Sequence, residues 1–433
     1  MSIKTKLLIL SVLGAFCIQN QSLAQSSSST YSSLGLGEFN NSGFTQNQGM
    51  GGLGISYGNS FGVNHVNPAL SVQNYAFNFQ AAINYERINA TSGEQTSEID
   101  GGGLGYVAMS FPIKPSKMSL GIGLNQISSV NYNLTIRNPV ANTDITAFNT
   151  IDGNGGISEA YLSTGFQVFK NFNVGVQGSY IFGSTIRRNN LTLRNNQTLS
   201  NSDGEVVGGS SEYYERLSLS DVSIKGGAHY MAKVGNRKFL HFGTIYQVFG
   251  EVNGKEFARI GDSGQASNPE APGDILSNDL QGTIYIPNRL GYGVTYEKLN
   301  KFMIGLEAQH QDFSTYRSFN GTTGELNSSF KVGLGGQYIP DLFSMDNVFA
   351  RSIYRVGFEY EQTPYLIRNM AINDVGINFG ASIPMNNLSL MNLAFKLGTR
   401  GSTENNLVRE NYIRVSLGFS INDNSWFYKK VFE

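Results

Sequence analysis

Apolar side chains occupy alternate positions along most of the chain after residue 74. In the segment YAFNFQAAINYE, which begins at Tyr75, the large apolar residues share one face, whereas Asn78, Gln80 and Asn84 share the other. A period of two predicts β-strands with one apolar and one polar face. We count about fourteen such segments, each of roughly ten to fourteen residues, and an even number suits a closed antiparallel barrel. After the first, they include or begin near Val107, Met118, Ser158, Phe172, Arg216, Phe239, Thr283, Phe302, Ser329, Ile353, Met370, Ser389 and Ile413.

The connections between these segments decide between two all-β architectures. In a soluble sandwich the apolar face would pack on a second sheet, whereas in a transmembrane barrel it faces lipid and the polar face lines the lumen. Tight turns such as KPSK, KNFN and KLNK alternate with long polar segments at 137–156, 187–214 and 252–281, which we expect to be loops. Aromatic residues lie near the ends of many segments, where interfacial girdles form. We therefore predict an all-β fold, a transmembrane antiparallel β-barrel of about 14 strands.

Composition and the N-terminus indicate an exported protein. Only 15% of the 433 residues are charged and 40% are hydrophobic, with 51 Gly, 28 Phe and 22 Tyr. Residues 1–24 combine Lys4 and Lys6 with the apolar run LLILSVLGAFCI and a small-residue cleavage site, which predicts a signal peptide. The only cysteine, Cys17, lies in that run, and the rest of the chain has 29 basic and 32 acidic residues, a net charge of −3. A chain without excess positive charge has no electrostatic reason to bind nucleic acid.

Residues 25–74, between the signal peptide and the first strand, show neither strand alternation nor helical periodicity. The segment is rich in glycine and asparagine, yet it also carries large apolar residues such as Leu34, Phe39, Phe44 and Leu53. A disordered leader seldom holds so many apolar groups. Two interpretations remain open: a periplasmic tail, or a plug inside the barrel lumen, where glycines permit tight turns. A fourteen-stranded barrel is wide enough to hold such a plug.

The stretch MGGLGISYGNSFGVNHVNPAL, residues 50–70, resembles the N-terminal hatch of the FadL-like outer-membrane transporters of long-chain fatty acids and other hydrophobic compounds. In that family a glycine-rich stretch is followed by Asn-Pro-Ala directly before a fourteen-stranded barrel. The matching residues in this chain are Gly51, Gly52, Gly54, Asn67, Pro68 and Ala69. The resemblance implies that the predicted signal peptide at 1–24 is followed by a hatch inside the lumen at 25–74 and a barrel at 75–433, in the outer membrane of a diderm bacterium.

A second stretch, residues 282–316, also resembles this family. It contains a strand that ends at Pro287, a glycine-bearing strand and the cluster Asp312-Phe313-Ser314. The resemblance implies passive uptake of a hydrophobic small molecule, such as a long-chain fatty acid, without a cofactor. Another role stays open, because some family members are partner or shuttle barrels of a protein-secretion system in Bacteroidota, the expected source. In both roles the barrel contacts outer-membrane lipid and lipopolysaccharide.

The third strand contains a fault in its alternation. Its apolar positions run in phase from Met118 to Leu124, meet Ile127 out of phase and resume at Val130. A β-bulge would explain both the shift and the local polarity. The alternative is that the strand ends there and continues as the arm of an extracellular hairpin. Because the third strand of FadL-like transporters is kinked and opens the wall beside the hatch, the resemblance implies a lateral exit at Gln126, Ile127, Ser128 and Ser129.

Few residues suggest catalysis or metal binding. The four histidines are scattered without metal-ligand spacing, so we predict no metal site. His310, Asp312 and Ser314 occupy alternate positions and would share one strand face, as a hydrolase built on a barrel would need. We favour a polar row that faces the lumen, and we predict that the protein is not an enzyme. Arg187 and Arg188 begin a long polar segment, where they would form a rim that faces solvent or lipopolysaccharide.

Overall fold

The structure is a computed structural model. It describes residues 29–423 except 94, 196–209, 263, 269–271, 320, 322–325 and 386–388. The predicted signal peptide at 1–24 and the C-terminal residues 424–433 lie outside the described residues. No helix in the described part of the chain is long and apolar enough to cross a membrane.

Fourteen strand positions form one antiparallel sheet that closes on itself, which confirms the predicted barrel. Each strand pairs with the next along the chain, and the last pairs with the first. Two of the fourteen strands are each made of two consecutive segments. The first of these strands is interrupted at Phe249, and the strand that follows it is interrupted at Pro287 and Asn288. The strands are β1 (Phe77–Ser92), β2 (Gln95–Lys114), β3 (Met118–Pro139), β4 (Ile145–Phe169), β5 (Phe172–Asn195), β6 (Ser211–Gly235), β7 (Lys238–Val248 and Gly250–Asp262), β8 (Gly273–Ile286 and Arg289–Lys298), β9 (Phe302–Asp312), β10 (Ser328–Tyr338), β11 (Ile353–Ile367), β12 (Met370–Pro384), β13 (Ser389–Arg400) and β14 (Arg409–Asp423).

The remaining elements are short. A two-residue strand, Glu38–Phe39, lies in the segment before the barrel and pairs with β3. The helical turns are Thr30–Ser33, Thr45–Gln48, Pro68–Gln73, Phe313–Thr315, Val348–Arg351 and Glu404–Asn406.

The two faces of the barrel wall differ as the alternation predicts. Apolar side chains such as Ile83, Ile122 and Phe419 point outward and are 46%, 38% and 43% exposed. Asn78 and Gln80, which we placed on the lumen side, are 0% and 1% exposed. Because all described barrel strands belong to one closed sheet, the apolar outer face has no second sheet to pack against. That face suits lipid, and the soluble sandwich is excluded.

Most described residues of the long polar segments lie in strands, so our expectation of loops is wrong for them. Residues 137–156 lie largely in β3 and β4, residues 187–195 and 211–214 lie in β5 and β6, and residues 252–262 and 273–281 lie in β7 and β8, whereas 196–209 lie outside the described residues. We call these strand extensions the arms. Their backbone ladder continues although the apolar alternation stops, because backbone pairing does not require side chains that face lipid. The arms form long hairpins at one end, which we call the hairpin end, while turns such as 170–171 and 299–301 mark the short-turn end. In outer-membrane barrels the longer connections are extracellular.

The largest apolar cluster lies where the arms continue from the barrel wall. It brings together inward-facing residues of β3 to β8, Phe313 and Tyr316 after the end of β9, and Leu36 of the N-terminal segment. Its buried members are Leu36, Ile127, Ile157, Ile181, Leu217, Leu219, Phe249, Val252, Ile284, Ile286, Phe313 and Tyr316. The interruptions of β7 and β8 adjoin this cluster, since Phe249 interrupts β7 and Ile286 directly precedes the interruption of β8. The lumen therefore has an apolar core towards its hairpin end.

Candidate functional site

Residues 29–74 pack against the inner side of the barrel wall, and we call this segment the hatch. Leu53, Ile55 and Ala69 are all 0% exposed. The hatch backbone approaches the wall so closely that a Cβ atom on Gly243 of β7 would lie 2.0 Å from the Ile55 carbonyl oxygen. Glycine in the strand therefore makes room for the hatch.

Gly51 and Gly52 lie where the hatch meets the inner wall. Their φ angles are +72° and +73°, a region that residues with a side chain rarely adopt. A Cβ atom on Gly51 would also lie 2.9 Å from the Leu334 carbonyl oxygen of β10 and 3.0 Å from that of Phe358 of β11. Backbone conformation and close packing both require glycine at position 51.

A buried glutamate binds the hatch at Gly54 and the two residues that follow. The carboxylate of Glu307 on β9 accepts hydrogen bonds from the backbone N–H groups of Gly54, Ile55 and Ser56 at 2.8, 2.9 and 2.8 Å. The Ser56 hydroxyl donates to it as well, at 2.9 Å. Hydrogen bonds to an ionised group are roughly twice as strong as neutral ones. Sequence reasoning missed Glu307, because one glutamate in the polar row of a strand does not indicate a contact with a distant segment.

Asn67, Pro68 and Ala69 form the turn that leads from the hatch to β1. The Asn67 side-chain amide donates to the carbonyl oxygen of Ile55 at 2.7 Å and to that of Ala228 on β6 at 3.2 Å. Its Oδ1 accepts from the Ala69 N–H at 3.0 Å, and Pro68 begins a short 3₁₀-helix, where its missing N–H costs nothing. The three residues tie the hatch to itself and to the wall.

The ladder between β2 and β3 is incomplete. It runs from the short-turn end only as far as the pair Tyr106 and Asn125. In the pairing of β3 with β4, the register shifts between Gln126 and Ser128, so a bulge lies at Ile127. Beyond the bulge, β3 continues as the arm of a long hairpin. The faulty alternation had two explanations, a β-bulge and a strand that continues as the arm of a hairpin. Both apply, because β3 bulges at Ile127 and then continues as that arm.

We call the resulting opening the lateral gap; residues 101–104 of β2 and 126–129 of β3 border it. The hatch covers the β3 side with its two-residue strand. Glu38 pairs with Ser129, and Phe39 pairs with Ser128. The N–H of Asn40 donates to the Ile127 carbonyl oxygen at 2.8 Å and extends this contact. The structure therefore brings all four residues of the predicted kink to the place where the hatch meets the wall.

Charged side chains line one side of the lateral gap. Glu38 of the hatch pairs with Arg400 of β13 at 2.6 Å and with Arg414 of β14 at 2.9 Å. Arg414 also pairs with Glu86 of β1, at 3.0 Å. Breaking a buried ion pair by removal of one partner is strongly destabilising. This network joins the hatch strand to three barrel strands.

An apolar surface adjoins the other side of the lateral gap. The rings of Phe39 and Phe313 have centroids 5.3 Å apart. Phe39 packs against the large apolar cluster, which also contains Leu36 of the hatch and Ile127 of the bulge. A charged surface and an apolar surface therefore meet at the lateral gap.

The row His310, Asp312 and Ser314 does not form a catalytic site. His310 is exposed on the outer face, whereas its neighbours Gln309 and Gln311 are buried on the lumen side. Our expectation that this row faces the lumen is therefore wrong, because the inward phase of β9 falls on odd-numbered residues. The Asp312 carboxylate accepts from the Ser314 hydroxyl at 2.6 Å and from its N–H at 3.2 Å, so it caps a helical turn.

The other polar residues that we singled out make structural contacts. Arg188 pairs with Asp152 at 3.2 Å, and Arg187 donates to the Ser33 carbonyl oxygen of the hatch at 3.4 Å. Both arginines belong to β5 rather than to a loop. Within the described residues, no group of three or more His, Cys, Asp or Glu side chains is arranged to hold a metal ion.

A closed fourteen-stranded barrel with an apolar outer face is the architecture of an outer-membrane β-barrel. The chain belongs to the BamG family, whose sequence model matches residues 3–433. No curated protein matches the chain.

Solved structures with the same fold include outer-membrane transporters. The P. putida toluene transporter TodX is 15% identical, with a TM-score of 0.54 over 87% of this chain and 97% of TodX. The Ralstonia pickettii toluene transporter TbuX is 12% identical, with a TM-score of 0.53 over 88% and 99%. A Pseudomonas aeruginosa FadL homologue is 14% identical, with a TM-score of 0.53 over 88% and 98%. The predicted resemblance to FadL-like proteins is confirmed for the fold, and the Bacteroidota source stays a prediction.

Proposed function

We propose that this protein is a passive outer-membrane channel for a hydrophobic small molecule, of which a long-chain fatty acid is the best example. The ligand enters at the hairpin end and leaves sideways through the lateral gap. The end of the β2–β3 ladder at Tyr106 and Asn125 carries this proposal. We call the apolar outer face of the barrel wall the apolar belt. An opening in the wall at its margin gives an apolar molecule a path into the membrane that avoids water.

The surroundings of the lateral gap suit an amphiphile. The large apolar cluster extends from the arms to Ile127, so it offers an alkyl chain a route towards the opening. Glu38 and Arg414 provide polar groups beside it. The named substrate of TodX and TbuX, toluene, supports a hydrophobic ligand for this fold. Gly51, Gly52, Gly54, Asn67, Pro68 and Ala69 keep the hatch seated, and Phe39 is the side chain that must move.

A reversible disulfide bond tests this role of the hatch strand. Phe39 and Ser128 are directly opposed. The hydrogen bond from Asn40 to Ile127 makes the next pair a hydrogen-bonded one, so Phe39 and Ser128 form a non-hydrogen-bonded pair. Cα atoms in such pairs lie about 4.5 Å apart, which a disulfide spans. Since Cys17 is the only cysteine of the chain, a Phe39→Cys, Ser128→Cys variant forms one defined bridge.

We expect the oxidised double variant in proteoliposomes to lose uptake of a labelled long-chain fatty acid, and dithiothreitol to restore it. The two single-cysteine variants are the matched controls and should transport under both conditions. Equal uptake by the oxidised and reduced double variant would refute the lateral route. Uptake by the wild type no faster than by empty vesicles would refute the channel itself.

A second function, as a partner barrel of a protein-secretion system, is favoured by the edge of β2. Among the described strands, none pairs with residues 101–105 on the side of the lateral gap. An open sheet edge accepts an extended segment from another polypeptide. If this function holds, a second protein should co-purify in fixed stoichiometry from the source membranes. Leu104→Lys, which places a charge on that edge, should reduce its recovery, and unchanged recovery would contradict this function.

A further inference from the structure

The loop between β10 and β11 exposes a group of large apolar side chains at the short-turn end. Phe343, Met345 and Phe349 are 74%, 89% and 68% exposed. Tyr338 and Tyr354, which face outward on the adjoining strands, are only 47% and 39% exposed. A single exposed apolar residue needs no explanation, but a group of them marks a contact with a protein or a membrane. We call Phe343, Met345 and Phe349 the loop patch.

Hydrogen bonds hold the loop in one conformation. The Asp341 N–H donates to the Ala350 carbonyl oxygen at 2.8 Å, which joins the two ends of the loop. The Asp341 carboxylate accepts from the Phe343 N–H at 3.0 Å. The Asn347 side chain accepts from the N–H groups of Phe349 and Ala350 at 2.9 and 3.2 Å. These bonds hold the loop backbone from which the exposed side chains extend.

Two contacts place the loop beside the lipid-facing surface. The Tyr354 hydroxyl donates to the Phe349 carbonyl oxygen at 3.0 Å. The Lys301 ammonium donates to the Pro340 carbonyl oxygen at 2.7 Å and lies 5.0 Å from the centroid of the Tyr338 ring. Both tyrosines point outward at the end of the barrel, where aromatic girdles meet the lipid headgroups. The loop patch therefore continues the apolar belt.

The opposite side of the loop faces the lumen. Leu342 is half-buried and borders a cavity of about 260 Å³ at the short-turn end, together with Tyr57 of the hatch. Because Leu342 faces this cavity while its neighbour Phe343 is exposed, the loop has two distinct sides. Its outer side is the one that lies beside the membrane.

We propose that the loop patch inserts into the phospholipid leaflet on the short-turn side, at the boundary between headgroups and acyl chains. Apolar side chains beside a polar backbone bind at this depth without spanning the bilayer. The proposal is independent of the transported ligand and holds for a channel and for a partner barrel alike. A phospholipid surface is favoured over a protein because the patch continues a surface that already faces lipid.

Depth-dependent fluorescence quenching tests this insertion. The chain has one tryptophan, Trp426, so Trp426→Phe gives a silent background. Three reporters are then made separately in this background: Met345→Trp in the loop, Phe419→Trp on the lipid-facing surface and Ala141→Trp in an exposed turn at the hairpin end. Each barrel is folded into vesicles of phosphatidylcholine brominated near the top of the acyl chain or near its end. Heat-modifiable gel mobility verifies folding.

We expect Met345→Trp to be quenched within about twofold of Phe419→Trp, and more by the shallow bromines than by the deep ones. Ala141→Trp should not be quenched. Less than half the quenching of Phe419→Trp at position 345, with emission like that of Ala141→Trp, would overturn the proposal. The loop patch would then be a water-exposed surface for a periplasmic protein.

Discussion

The carboxylate of Glu307 is the hatch contact whose loss should be easiest to measure. It accepts the N–H groups of Gly54, Ile55 and Ser56 within 2.9 Å and is 4% exposed. In Glu307→Gln the shape is retained, but only one of the two side-chain oxygens remains. If the remaining oxygen still accepts the N–H groups of Ile55 and Ser56, the new NH₂ group of the glutamine faces the Gly54 N–H. Two hydrogen-bond donors then lie opposite each other without an acceptor.

The expected cost follows from these contacts. A buried donor without an acceptor costs about 1–3 kcal/mol, and the remaining hydrogen bonds lose the assistance of the charge. The seated hatch should therefore be destabilised by about 2–4 kcal/mol, which is roughly a 30- to 1000-fold change in the opening equilibrium. Amide hydrogen exchange at Gly54 to Ser56 reports this equilibrium, because exchange requires local opening.

A neighbouring substitution separates loss of the anchor from general damage. Gln309→Ala removes the next inward-facing side chain of β9 and leaves the Glu307 carboxylate, which accepts the hatch hydrogen bonds, unchanged. We expect it to keep the wild-type exchange rate at the hatch. If Glu307→Gln changes exchange at Gly54 to Ser56 by less than about threefold, the inference that this carboxylate anchors the hatch is wrong.

Two further substitutions test how the hatch fits the barrel and which face meets lipid. Gly243→Ala should displace the hatch and raise conductance across planar bilayers, because its Cβ would lie 2.0 Å from the Ile55 carbonyl oxygen. Gly226→Ala is the control, because a Cβ atom there has no atom within 4 Å. Equal conductance of the two variants would contradict the close packing of the hatch on β7. Leu306→Arg on the outer face should cost about 2–4 kcal/mol in reversible folding into lipid, and Asn84→Arg on the lumen side far less. Equal costs would contradict the assignment of faces.

The barrel could be predicted from the sequence because lipid and lumen impose unlike side chains on the two faces of every strand. Phe79 and Gln80 show this contrast within one residue step. The arms could not be predicted in the same way. Residues 145–157 of β4 lie beyond the apolar belt, so no apolar period marks them although their backbone ladder is regular. Hydrophobic periodicity reports the environment of a strand, and backbone pairing continues where the outer face no longer meets lipid.

The site was only partly predictable from the sequence. Some of its residues are required by the local backbone conformation, whereas others act through contacts between segments that are distant in the chain. Gly51 and Pro68 are required by the local backbone conformation, which a short stretch of sequence indicates. The bulge at Ile127 also left a local trace in the phase of the apolar residues. The role of Glu307 and the last ladder pair of β2 and β3 depend on which distant segments meet. Those contacts follow from the closed sheet and the seated hatch, and one sequence carries no separate pattern for them.

The ion pairs at the lateral gap bear on whether a passive channel can open there. When the hatch strand leaves β3, Glu38 leaves its two arginines. Arg400 still pairs with Asp374 at 2.9 Å, and Arg414 still pairs with Glu86 at 3.0 Å. Neither arginine therefore loses its last partner, which is the event that makes breaking a buried pair so costly. In the proposed lateral release, opening would sacrifice a two-residue ladder, the ion pairs of Glu38 with Arg400 and Arg414, and the packing of one phenylalanine. Binding of an apolar ligand in their place would offset part of that loss without an external energy source.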